Sequence, residues 1–274
     1  MTQSENLLRV QAGRFAGSYW KELWRHRELA WFMARRDLLI RYKDTALGVA
    51  WALLRPLLTM LVLVVVFHRL AGFSGQGAPY PVLVFAALLP WQLFSSALSE
   101  VGNSLLQNSH IVTRVYFPRL VLPLSAMAVA IADFAVTLAL LALLMVFYGQ
   151  LVGWPLLALP VFVALAALTA LAAGIWVSAL QVRYRDVRFI VPFVVQFGLY
   201  LSPVGFSTSV VPEDYRLLYS LNPMVGAIDG FRWCLLGQPF YWPAAALSVI
   251  VTAVLLVTGV RYFRSVERSV ADLM

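Results

Sequence analysis

Hydrophobic and polar positions segregate into long blocks along this chain instead of alternating. Six apolar stretches, 48–67, 80–98, 120–147, 154–182, 189–211 and 240–260, each hold close to the roughly 20 residues that a helix needs to cross about 30 Å of hydrocarbon. None shows the period-two alternation of a membrane β-barrel strand. The third and fourth are long enough to require tilt or an extension beyond the bilayer. The pattern predicts an all-α integral membrane protein with six transmembrane helices.

The polar blocks between these stretches divide the rest of the chain. In "SYWKELWRHRELAWF", Trp20, Leu23, Trp24, Arg27 and Trp31 recur at helical spacing, with Lys21, Glu22, Arg25 and Glu28 on other faces. This is the pattern of an amphipathic helix lying in the membrane interface, serving as an anchor or as a docking element for a partner. A second charged stretch, "ARRDLLIRYKD", leads directly into the first apolar run. The expected organisation is a polar head (1–46), a transmembrane unit (47–263) and a short tail (264–274). The 99–119 loop is polar and long enough for one short helix, with Pro118 ending or restarting it. The 207–239 loop is half apolar but broken by Pro223, Gly226 and Gly230. It is too interrupted to span, so short re-entrant or interfacial helices are expected between the fifth and sixth spans, packed in protein.

Charge fixes the expected orientation. Of 21 Lys and Arg, seventeen lie in the head, the 99–119 and 181–188 loops and the segment after Val260, which six spans place on one side. Arg69, Arg216 and Arg232 fall on the other side, and Arg55 lies inside a span. The excess of basic residues on cytoplasmic loops therefore predicts that both termini are cytoplasmic. Only 12% of the 274 residues are charged and 61% are hydrophobic, against about 25% charged in a soluble domain. The net charge of +8 suits this orientation and anionic lipid. It does not suggest nucleic-acid binding, because the basic residues flank spans and form no separate domain. No signal peptide is visible, so the first span is expected to act as the targeting signal.

Catalytic chemistry has no visible home. There is no G-x-x-x-x-G-K-[ST] phosphate loop, H-E-x-x-H, C-x-x-C or G-x-S-x-G, and His26, His68 and His110 stand far apart. Cys234 is the single cysteine, which excludes an intrachain disulfide and a cysteine-rich metal site. No cofactor, metal or catalytic residue is expected in this chain. Two charges do lie within spans. Arg55 is about 10 Å from the near end of its helix and can snorkel to the interface. Asp133 is about 20 Å in; a carboxylate there is either neutral or capped, or else paired and facing a wet cavity. In the fourth span Ala166, Ala170, Gly174 and Ser178 repeat every four residues, a stripe that permits close helix contact within the bundle or between subunits. Trp154 and Trp242 suit a membrane interface. Trp91, Phe94, Phe197 and Tyr200 fall near mid-bilayer, either as core packing or as a path of aromatic faces for sugar rings.

"RDLLIRYKDTALGVAWALLRPLL" (36–58) resembles the start of the permease subunits of ABC-2 type polysaccharide exporters, which move O-antigen, capsule or teichoic-acid chains. "YRDVRFIVPFVVQFGLYLSPVGFSTSVVPEDYRLLYSLNPMVGAIDGFRWCLLG" (184–237) is similar to the same family around its last two spans. The resemblance implies a homodimer in the bacterial inner membrane that forms one channel for a lipid-linked polysaccharide, with two copies of a separate ATPase that binds ATP and Mg. It implies a cytoplasmic gate helix at 34–43, where Arg36, Arg41, Tyr42 and Lys43 meet lipid headgroups and the pyrophosphate of the carrier. It also implies a coupling helix on the ATPase in the 99–119 loop, with Glu100, Asn103 and Arg114 as candidates. An outer gate is implied at 212–237, with Pro212, Asn222, Pro223 and Arg232. Arg55 departs from the family, where an uncharged residue is common, so the resemblance gives it no role. Two alternatives stand beside this reading. An ABC-2 exporter of small drugs or lipids would share the architecture. A membrane transferase acting on polyprenyl lipids would need clustered acidic residues with metal-ligand spacing, and the sequence has none.

Overall fold

The computed structural model describes residues 16–43, 48–75, 77–184 and 186–267. The head forms α1 (Ala16–Arg25) and α2 (Arg27–Lys43), and α3 (Gly48–Leu63) then loosens into a π-helical stretch, Val64–Leu70. Next come α4 (Tyr80–Gln107), the single turn α5 (Ser109–Val112), α6 (Val121–Phe147) and α7 (Leu159–Arg183), the last entered through a 3-10 turn at Trp154–Ala158. The chain ends with α8 (Val187–Leu201), α9 (Glu213–Tyr219), α10 (Pro223–Leu236) and α11 (Trp242–Glu267). Five helical stretches are long and apolar enough to cross a membrane: Leu53–Leu70, Tyr80–Gln107, Val121–Phe147, Trp154–Arg183 and Trp242–Glu267. This is a multi-pass membrane protein.

The fifth predicted span is shorter than the sequence pattern suggests. α8 stops at Leu201, and Ser202 turns to extended backbone with ψ 154°. The cause is Pro203, which lacks an N–H and excludes the residue before it from helical geometry. Fifteen residues rise only about 22 Å. Other boundaries also move. The second predicted span runs on to Gln107, because Val101, Ser104 and Leu105 continue its buried face after the apolar run has ended. The head divides at His26, not near Ala34; the ring Nδ1 of His26 bonds the Glu22 carbonyl at 2.8 Å there.

α4 is the centre of the bundle. Every residue from Val82 to Trp91 is buried, and 72% of its most apolar window is enclosed, against 11–39% for the other four. The other spans therefore turn large apolar faces outward. α4 packs most closely on α7, where backbones approach through paired glycines. A Cβ at Gly174 would lie 2.6 Å from Val101 Cγ1, and one at Gly102 would lie 2.8 Å from Val177 Cγ1. Ala166, Ala170, Gly174 and Ser178 are all buried, so the small-residue stripe serves packing inside the bundle.

The two described chain ends meet. Tyr19 Oη of α1 donates to Glu267 Oε1 of α11 at 3.3 Å, the Arg119 N–H donates to the same oxygen at 2.8 Å, and Arg264 lies 4.6 Å over the Tyr19 ring. We call this the basic end. At the far end, α10 starts where Asn222 Oδ1 accepts from the Met224 N–H at 3.1 Å, with Pro223 in the first turn. It stops at Gly237, φ 65°. The glycines expected to break this segment instead lie within α10 as contact points, since a Cβ at Gly230 would fall 2.1 Å from the Phe162 ring.

Candidate functional site

α2 lies along α6, burying Met33 and Ala34. From its last turns Arg41 spans two helices: Nη1 is 2.6 Å from Glu100 Oε1 on α4, and Nη2 is 2.6 Å from Asp133 Oδ2 on α6. Tyr42 Oη donates to the other Asp133 oxygen. One turn and a half earlier, Arg36 Nη2 donates to Asn108 Oδ1 at 2.8 Å while its Nε holds Asp37 at 2.9 Å. The carboxylate in the third span is thus paired, about 18 Å along α6 from its first residue. Side chains of Arg41 and Asp133 are 39% and 20% exposed, so each contact stabilises by no more than about 1 kcal/mol. Losing the shared cation would cost more, because it strands two carboxylates in the same place.

Two cavities flank this clasp. One, of about 420 Å³, is lined by α2, α3, α4, α6 and α8 and takes in Arg41, Tyr42, Arg55, Gln92, Ser95, Ser96, Ser99, Glu100, Asp133 and Thr137. The other, of about 470 Å³, opens toward the basic end between α2, α4 and α6, past Arg36, Ser104, Gln107, Asn108 and His110. They meet at Arg41 and Glu100, which line both. α4 supplies most of the polar wall of both. Gln92, Ser95/Ser96, Ser99/Glu100, Asn103/Ser104 and Gln107/Asn108 recur at helical spacing, a polar face about 24 Å long at 1.5 Å per residue.

Most polar side chains on this face donate back to their own helix. Ser95, Ser99, Asn103, Ser104 and Asn108 give protons to carbonyls three or four residues earlier at 2.7–3.1 Å. Thr137 on α6 does the same to Asp133 O at 3.0 Å. Such back-bonding satisfies the donors and leaves the oxygens as acceptors. Arg55, on α3, is exposed and lines the deeper cavity; it forms no ion pair with a described residue.

The structure separates the other sequence candidates. Lys43 ends α2, exposed. Glu100 and Asn103 lie inside α4, not in the loop after it, for the reason given above. Arg114 is exposed, just past α5. The four mid-membrane aromatics do not share one environment. Trp91 is 5% exposed with its ring where a Cβ of Gly198 would sit (2.5 Å), and Phe94 is part-buried beside it. Phe197 and Tyr200 on α8 are 50% and 54% exposed.

At the far end Arg232, which the sequence places in the 207–239 loop on the outer side, is only 2% exposed. It donates to Phe206 O at 2.7 Å and Val204 O at 3.0 Å, and Tyr80 Oη donates to the intervening Gly205 O. Asn222 Nδ2 donates to Ser202 Oγ at 3.0 Å. The segment after α8 is thus held by its own carbonyls from α4 and α10. Pro212 is exposed ahead of α9, and Pro223 is the first residue of α10. Asp229 is buried and accepts from Thr208 Oγ1 at 2.7 Å. Its carboxyl is raised above the usual range by burial, against the lowering effects of Arg232 and of the Thr208 bond.

Apart from Glu100 and Asn103, which the sequence singled out for another role, the polar face of α4 was missed from the sequence. Its signal was a polar 3.6-residue period superimposed on the apolar run from Gln92 onward, hidden because hydropathy averages it away.

A family model described as ABC-2 type transporter matches residues 28–236. The chain is 30% identical over 215 residues to an O-antigen export system permease protein from Myxococcus xanthus, covering 77% of this chain and 82% of that protein. Two O-antigen export system permease proteins from Klebsiella pneumoniae are 23% and 22% identical over 244 residues, covering 88% of this chain and 93% of each relative.

Proposed function

Because this chain belongs to the ABC-2 type transporter family, we propose that it is the transmembrane permease subunit of an ATP-binding-cassette exporter that carries a lipid-linked polysaccharide such as O-antigen across the bacterial inner membrane. The observation that carries this is the polar face of α4, which lines two joined cavities within an apolar bundle. A chain of hydroxyl-bearing sugars needs hydrogen-bonding partners along its route, and a wall of side-chain oxygens supplies many weak ones. A small apolar cargo would have no use for it.

In this reading two copies of the chain form the channel, both termini face the cytoplasm, and a separate ATPase pair binds ATP and Mg and drives turnover. α8 is the fifth of six crossings despite its length, and α9 and α10 are the re-entrant helices of an outer gate closed over the segment that Arg232 holds. Residues 47–263 are the transmembrane unit and 1–46 the interface and gate helices. Arg36, Arg41, Tyr42 and Lys43 belong to the cytoplasmic gate, where the clasp to Glu100 and Asp133 holds α2 closed. The coupling contact with the ATPase shrinks to α5 and the turn carrying Arg114.

The test is reconstitution of the purified chain with its ATPase in liposomes holding a lipid-linked O-antigen. ATP-dependent appearance of the glycan across the bilayer is expected, with no hydrolysis by this chain alone. ATP-dependent movement of a small amphiphile without glycan transport would overturn the reading.

A further inference from the structure

The deeper cavity carries enough chemistry to say which part of a glycan it takes. Among the described residues, four formally charged side chains line it: Arg41 and Arg55, Glu100 and Asp133. Arg41 is committed to both carboxylates at 2.6 Å, which leaves that cluster one negative charge in excess. Arg55, with no ion pair to a described residue, balances it. The described lining is therefore balanced in formal charge. Among the described residues, an added anion would meet one cation outside the clasp while facing two carboxylates.

The hydrogen-bonding pattern points the same way. Ser95, Ser99 and Thr137 have spent their protons on their own helices, so their oxygens offer acceptors to the cavity. A sugar hydroxyl can donate to these and accept from the guanidinium of Arg55. A carboxylate or phosphate oxygen cannot donate at all, so it could use only the donors of Gln92, Ser96 and Arg55 and would leave the three acceptor oxygens and the carboxylates without a partner. We infer that this cavity is a subsite for neutral sugar residues, with Arg55 as the donor that reads their hydroxyls and Glu100 and Asp133 as the charges that disfavour acidic sugars. The inference rests on the export reading above and adds a substrate class to it: glycans whose repeats are uncharged.

The experiment compares two lipid-linked glycans of equal length on the same carrier, one of neutral hexoses and one with a uronate in every repeat. Transport is measured in liposomes containing the complete exporter. The neutral glycan is expected to move at least about tenfold faster, since a site that leaves polar groups unpaired discriminates strongly. Glu100→Gln raises the charge of the lining by one and should narrow the ratio by raising the uronate rate, whereas Arg55→Gln lowers it by one and should widen the ratio. Equal rates, a preference for the uronate glycan, or a ratio that neither variant moves would overturn the subsite while leaving the export reading intact. Failure to move either glycan, with the assembly still hydrolysing ATP, would sink both. Loss of expression in Glu100→Gln, which is ion-paired, would pass the decision to Arg55→Gln, whose side chain holds nothing in place.

Discussion

Arg41 Nη2 lies 2.6 Å from Asp133 Oδ2, joining the charged block before the first span to the carboxylate inside the third. A residue that seemed to belong to an entrance and one that seemed stranded in hydrocarbon explain each other. Removing Arg41 leaves Glu100 and Asp133 side by side without a cation, whereas removing Asp133 leaves Arg41 with Glu100. Arg41→Gln should therefore destabilise the detergent-purified protein more than Asp133→Asn does. With Arg41 39% exposed, the solvent-screened loss is about 1–2 kcal/mol, below the 3–5 of a fully buried pair. Thermal unfolding of both single variants and the double measures the coupling, expected at about 0.5 kcal/mol or more. Additivity within about 0.3 kcal/mol would show that the pair does not hold α2.

Gly174 tests the packing of α4 on α7. An alanine there puts a methyl 2.6 Å from Val101 Cγ1 and 2.7 Å from its Cβ, and Val101 is itself fully buried. Overpacking of this kind costs about 1–3 kcal/mol. Val101→Ala should lower the melting temperature on its own and lower it less in the Gly174→Ala background, because it removes Cγ1 from the conflict although Cβ remains. If Val101→Ala destabilises both backgrounds equally, the glycine is not there for close approach.

Much of this was legible in the sequence. Hydropathy located every long helix, because burying backbone in hydrocarbon forces helices of a set length. The small-residue stripe showed one face of α7. The charged block from Arg36 falls on the last turns of α2 and forms no element of its own, and Asp133 stood out as a carboxylate inside a span, either neutral or capped or else paired. What hydropathy could not show is where a helix goes once it leaves the apolar run. Glu100 and Asn103 read as loop because they are polar, yet Val101, Ser104 and Leu105 keep the helical period and are buried, so α4 continues. Arg232 read as a loop cation because nothing local reveals that Val204 and Phe206, nearly thirty residues earlier, present their carbonyls to it. Tertiary pairing of that kind has no signature in a single chain.

Asp229 predicts a pH dependence at the far end. Burial raises its carboxyl above the ordinary range, although Arg232 and the Thr208 bond oppose the shift. The folded state therefore holds this proton more tightly than the unfolded state does. Stability from this group grows as pH falls from the raised folded value toward the ordinary carboxylate value, and is lost as pH rises through that window. Asn keeps an oxygen for Thr208 and never ionises. The melting temperature of Asp229→Asn relative to the parent should thus be more favourable at pH 8 than at pH 5. A difference that is the same at both would mean that the carboxyl does not titrate in this range.

The aromatics expected near mid-bilayer now make opposite predictions. Trp91 is 5% exposed and fills the space that Gly198 leaves open, so Trp91→Ala removes a buried ring and should cost about 3–5 kcal/mol. Its export defect should follow the loss of folded protein and nothing more. Phe197 and Tyr200, each about half exposed on a helix with a single buried residue, give up little packing in the isolated chain. Their alanine variants should unfold within about 0.5 kcal/mol of the parent. If their faces carry passing sugar rings, export in cells should fall while ATP hydrolysis by the assembled complex continues, because the motor still turns and the cargo slips. The measurements are melting temperature, surface glycan and ATPase rate for each of the three variants. Normal surface glycan in both Phe197→Ala and Tyr200→Ala, at normal protein levels, would leave these rings facing lipid or a second copy and would make the aromatic path wrong.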